Sequence, residues 1–161
     1  MSREFRRKFI SGPPLILFNL RMLWYAPSMV ETLCDDKDVV LVVDDEEMVV
    51  QQTVERHGCQ TASFNNPGEA LQYYRENSQK ITLMITDLTM PKVSGPDLIR
   101  RALRINPKLP IILITGYANE HILDDIRPLI HRALPKPFVK AELFDAVRTA
   151  LNKVDHQHVS N

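Results

Sequence analysis

Short apolar runs, each ending in a polar or charged residue, divide the chain from Val39 onward. Val39 to Val43 (VVLVV) runs into Asp44, Asp45, Glu46 and Glu47. Ile81, Leu83, Met84 and Ile85 lead to Asp87, and Ile111 to Thr115 (IILIT) closes at Thr115-Gly116. Uninterrupted β-branched runs of this length predict strands covered on both faces. Cys59 to Phe64 alternates weakly, which suits a strand nearer a sheet edge. A short strand around His131 to Leu134 leads to Lys136-Pro137-Phe138.

Between these runs the apolar spacing turns helical. Met48 to His57 predicts a helix stopped by Gly58. Asn66-Pro67-Gly68-Glu69 supplies a capping side chain, a proline at the first helical position and an acid three residues on, opening a helix through Tyr73 and Tyr74. Ser94-Gly95-Pro96-Asp97 opens another, carrying Leu98, Ile99, Ala102, Leu103 and Ile105. A helix from about Glu120 meets Pro128, which ends or kinks it. Ala141 to Leu151 predicts a last amphipathic helix with Leu143, Phe144, Val147, Ala150 and Leu151 inward. Strands alternating with helices at this spacing require right-handed crossovers and a parallel sheet. The expectation is one doubly wound α/β domain over residues 38–153, with a five-stranded parallel sheet and five helices.

The flanks do not follow this pattern. Residues 1–37 are basic, then apolar for only eight residues (PPLILFNL) before Arg21 interrupts. That is too short for a membrane span, and no signal-peptide cleavage site is evident. The stretch reads as a poorly ordered extension or a remnant of an upstream segment. A membrane-surface or partner-binding segment anchored by Phe5, Phe9, Phe18, Trp24 and Tyr25 is a second reading, and a helix packed on the domain a third. Residues 154–161 read as a tail, so no output domain is expected. Twenty basic and twenty acidic side chains cancel, leaving no global field that would favour direct nucleic-acid binding. Cys34 and Cys59 stand far apart without metal-type spacing, so neither a disulfide nor a zinc site is expected and a reducing cytoplasm fits.

Candidate chemistry follows from topology. In an open parallel sheet the loops after the strands emerge on one edge, where ligands bind. That rule gathers Asp44 and Asp45 from the first strand, Asp87 from the third, Thr115 from the fourth and Lys136 from the fifth. Clustered carboxylates repel by about 4 kcal/mol per close pair at an effective dielectric near 20. A divalent cation relieves this, and oxygen ligands suit Mg2+ or Mn2+. A cation, a lysine and a hydroxyl beside one carboxylate can handle a phosphoryl group, with Asp87 as the attacking nucleophile.

These residues resemble the receiver domain of two-component response regulators, through VVLVVDDEE, ITDLTMPKVSG, PIILITGYA and LPKPF in the family's spacing. LPIILITGYA looks most like receivers of hybrid sensor histidine kinases. The resemblance implies a flavodoxin-like fold with strand order 2-1-3-4-5. It makes Asp87 the phosphoacceptor, Asp45 a direct metal ligand, Asp44 a ligand partly through water, and Thr89 a donor of its backbone carbonyl to the metal. Thr115 becomes the switch hydroxyl and Lys136 the phosphate-binding lysine, joined to Pro137 by a cis peptide. The implied partners are a histidine kinase or histidine phosphotransfer protein and an unknown downstream protein, with any membrane contact left to the N-terminal extension. The implied activity is confined to the chain's own phosphorylation and dephosphorylation.

Two positions depart from that family. Ala133 stands where many receivers carry a Tyr or Phe three residues before the lysine, and DDIRPLIHRAL lacks the usual glycine ahead of the fifth strand. Tyr117 sits where it can gate the site. Glu46 and Glu47 read as first-turn helix acids, and the five histidines show no metal or catalytic spacing. The competing enzyme reading is an aspartyl-phosphate hydrolase of the haloacid dehalogenase type, which wants a second acid where Thr89 stands. A degenerate receiver serving only for interaction is the third reading.

Overall fold

The computed structural model describes Cys34 and residues 38–44, 48–90, 94–116 and 120–158. Residues 32–161 belong to one unit and residues 1–31 to another, so the account below concerns the former. Asp45, Glu46, Glu47, Tyr117 and the N-terminal anchors Phe5, Phe9, Phe18, Trp24 and Tyr25 lie outside the described residues.

The elements follow in the order β1 (Val39–Val43), α1 (Met48–Glu55), β2 (Gln60–Phe64), α2 (Pro67–Asn77), β3 (Ile81–Asp87) and α3 (Gly95–Ile105). Then come β4 (Ile111–Thr115), α4 (Glu120–Ile126), a 3-10 turn (Arg127–Leu129), β5 (Arg132–Pro135) and α5 (Lys140–His158). All pairings are parallel, and the sheet order is β2-β1-β3-β4-β5. This is the doubly wound arrangement expected from the alternation of runs.

Local chemistry accounts for the boundaries. Asn66 accepts from the Gly68 amide at 2.9 Å, with Pro67 at the first helical position of α2. Ser94 caps α3 by accepting from the Asp97 amide. After α1, Gly58 takes φ 84°, a left-handed turn that suits a residue without Cβ. Pro128 converts the end of α4 into the 3-10 turn. The last helix runs further than the apolar pattern suggests, to His158, because nothing in NKVDHQH breaks it.

Two apolar layers enclose the sheet. On one side Val40, Val42, Leu83, Ile85, Ile112, Ile114 and Leu134 pack against Val50 and Val54 of α1 and the inward face of α5. On the other, Leu41, Val43, Met84, Ile111 and Leu113 meet α2, α3 and Ile126 of α4. One irregularity sets which side β3 presents. Val39 pairs with Ile81 but Val40 with Leu83, so Thr82 is an extra residue on β3. This bulge shifts the phase, sending Ile81 to the α2–α4 side and Leu83 and Ile85 to the α1/α5 side.

The cysteines correct an expectation. Cys34 and Cys59 form a disulfide with Cα atoms 4.9 Å apart, and both are buried among α1 and α5 residues. Spacing along the chain cannot show that Cys34 lies over the end of the α1–β2 turn. Only packing brings the two sulfurs together.

Candidate functional site

Strand alternation decides which side chains meet at the C-terminal edge of the sheet. Asp44 follows Val40 and Val42, Asp87 follows Leu83 and Ile85, and Lys136 follows Leu134, so all three continue the side that faces α1 and α5. Thr115 follows Ile111 and Leu113 on the opposite side. Asp44 and Asp87 are buried, at 2% and 5% exposure, although each carries a carboxylate.

Lys136 joins them. Its ammonium donates to Asp87 Oδ2 at 2.8 Å and lies 3.8 Å from Asp44 Oδ2. The second Asp87 oxygen is also engaged: the Thr89 amide donates to Oδ1 at 2.9 Å, an Asx-type turn two residues long. The position of Lys136 is set by backbone, since its amide donates to the Thr115 carbonyl at 2.6 Å. Its peptide bond to Pro137 is cis.

Two buried carboxylates sharing one lysine leave a formal negative excess among these groups. Burial makes such an excess costly unless a cation or hydrogen bonds offset it. The donor set is all oxygen, which suits a hard divalent cation better than a transition metal preferring nitrogen or sulfur. Asp44 and Asp87 are the described carboxylates of this set, while Asp45 lies outside the described residues. Among the described residues no group of three acid, histidine or cysteine side chains is arranged to hold a metal.

Thr115 is the last residue of β4. It is buried, and its hydroxyl donates to the Gly116 carbonyl at 3.4 Å. Ala133 is exposed on β5, beside an open recess of about 250 Å³ also lined by Leu123, Arg127, Ile130, His131 and Arg132. The turn contact from the Thr89 amide was legible in the D-x-T pattern, but attention to its carbonyl alone passes over it. The close approach of Gly95 to the backbone of Asp87 and Leu88 has no sequence signal of its own.

Comparison with known proteins agrees with this geometry. A family model described as the response regulator receiver domain matches residues 40–148. The response regulator receiver protein CpdR of Brucella abortus is 32% identical over 118 residues, covering 71% of this chain and 97% of that protein. The autoinducer 1 sensor kinase/phosphatase LuxN of Vibrio campbellii is 31% identical over 117 residues, but the match spans only 14% of its length. A solved receiver-domain structure from Clostridium thermocellum superposes with a TM-score of 0.69 at 28% identity, covering 74% of this chain and 98% of that one.

Proposed function

Because the chain belongs to the response regulator receiver family, we propose that Asp87 is its phosphoacceptor. The donor is a phosphohistidine on a histidine kinase or histidine phosphotransfer protein. An Asp87 oxygen attacks phosphorus, the bond to the imidazole nitrogen breaks, and that nitrogen keeps the electron pair. The observation that carries this reading is the ammonium of Lys136 at 2.8 Å from a buried carboxylate, at the sheet edge where ligands of this architecture bind.

Asp44, Asp45, Asp87 and the Thr89 carbonyl are the oxygen donors that would hold Mg2+ or Mn2+. When bound, the cation neutralises charge on the oxygens of the transferring group. Lys136 shares that task and orients the carboxylate. After transfer, the Thr115 hydroxyl turns from Gly116 to a phosphoryl oxygen and its loop carries the signal to a downstream protein. With Ala133 on β5, no ring at that position follows the threonine.

The reaction is the chain's own modification and its reversal, with no separate substrate. A cytoplasmic location follows from a donor that draws on ATP. Cysteine usage does not support it, given the Cys34–Cys59 bridge. Among the described residues no helix is long and apolar enough to cross a membrane.

Intact-protein mass after incubation with acetyl phosphate and magnesium tests the reading. The expected product is a hydroxylamine-labile phosphoryl adduct that disappears in Asp87→Ala and in chelator. A folded protein that gains no adduct from acetyl phosphate or from a panel of histidine kinases overturns it.

A further inference from the structure

The loop after β3 is closed by a contact that leaves no room for a side chain. Gly95, the first residue of α3, donates its amide to the Leu88 carbonyl at 3.1 Å. A Cβ built at Gly95 would lie 2.6 Å from the Asp87 carbonyl oxygen, 2.9 Å from Leu88 Cα and 3.0 Å from the Leu88 carbonyl oxygen. All three atoms are backbone and cannot rotate aside. Ordinary contact begins near 3.4 Å, so a methyl group there would force α3 and the Asp87–Leu88 peptide apart by roughly 0.8 Å at the closest atom.

That peptide unit is also the one that sets the acceptor carboxylate. The Asp87 carbonyl accepts from the Thr86 hydroxyl at 3.2 Å, and the Leu88 amide donates to Ile114 at 2.9 Å. One residue on, the Thr89 amide holds Asp87 Oδ1. Rotating the Asp87–Leu88 peptide therefore moves the Thr89 amide and turns the carboxylate against Lys136.

We propose that Gly95 is a positioning residue for Asp87: by lying bare against the Asp87–Leu88 peptide, the start of α3 fixes the carboxylate and the Thr89 amide that holds it. The proposal rests on Asp87 being the phosphoacceptor. Gly95 touches no reacting atom, and its effect passes through the peptide and the Thr89 amide.

The test compares Gly95→Ala with Ala102→Gly, which weakens the same helix about two turns beyond Gly95 without touching the acceptor's backbone. The rate of Asp87 phosphorylation at saturating acetyl phosphate and magnesium is expected to fall by about 30-fold or more in Gly95→Ala, since displacements near 1 Å cost on the order of a hundredfold. Ala102→Gly should stay within about 3-fold of wild type at equal thermal stability. Amide exchange, read by NMR without donor, should show the amides of Leu88, Thr89 and position 95 losing protection in Gly95→Ala while the Met84 amide, farther back on β3, keeps it. If Gly95→Ala does not fold, Ser94→Ala takes its place, loosening the cap of α3 without adding an atom, with Asn66→Ala at the cap of α2 as its control. Ser94→Ala is then expected to slow phosphorylation and expose the Thr89 amide, and Asn66→Ala to do neither. Equal rates and an unchanged Thr89 amide in variant and control overturn the proposal. Wild-type protein that takes no phosphoryl group overturns the functional reading alone, and the Thr89 amide then decides the positioning role by itself.

Discussion

Lys136 bears on stability as well as chemistry, because it is the cation that the two buried carboxylates share. Its side chain is 30% exposed, whereas those of Asp44 and Asp87 are 2% and 7% exposed. Removing the cation leaves two charges desolvated, and breaking such a pair typically costs about 3–5 kcal/mol, less where water reaches one partner. Lys136→Met is therefore expected to lower unfolding free energy by about 2–3 kcal/mol in chelator. Millimolar magnesium should recover part of the loss, since a cation bound only by the folded state stabilises it. Urea denaturation with and without magnesium checks this, and Asp87→Asn in the Lys136→Met background should recover stability without metal. A Lys136→Met midpoint that does not move would mean that water, not the lysine, carries these charges. At this scale the residue types at the site were legible, because Asp44, Asp87 and Thr115 each close a strong apolar run and Lys136 follows a short strand. The bare Gly95 was not, because its close approach depends on backbone geometry within a loop.

At the scale of elements, β5 is the weak member. It has four residues, lies at the sheet edge and ends one residue before Lys136. Ties to α5 hold it. Arg132 donates to Asp145 at 2.8 Å, Arg148 donates to the other Asp145 oxygen at 2.7 Å, and the His131 ring meets the Thr149 hydroxyl at 3.1 Å. Hydrogen bonds from Arg148 first, and then Arg132, hold the Asp145 carboxyl below the ordinary value of 3.8. A carboxylate whose folded pKa is depressed adds stability above its unfolded pKa and loses it as pH falls through the folded value. Asp145→Asn is thus expected to be less stable than wild type at neutral pH, and the two should converge as pH drops below 3.8. Urea midpoints across that range give the answer, and parallel curves would show that the arginines are held by solvent instead. Elements were legible wherever an apolar run met a breaker, as at Gly58 or Pro128. The end of α5 was not, since polar residues continue a helix without an apolar stripe to announce it.

For the whole molecule, the described residues of the two apolar layers run from Cys34 to Leu151, within the unit that begins at Thr32. What the sequence determined by itself was the architecture: β-branched runs alternating with amphipathic stretches admit a parallel sheet and little else, and that topology alone sends the loops bearing Asp44, Asp87, Thr115 and Lys136 to one edge. Which of these side chains touch depends on strand register and packing. The extra Thr82 resets the phase of β3 so that Leu83, Ile85 and Asp87 face α1 and α5, while Thr115 continues the other side. The register of one strand on its neighbour arises from backbone pairing across some forty residues of chain, and pleat side, the cysteine bridge and the space at Gly95 all depend on such nonlocal contacts. Local pattern carries no record of them.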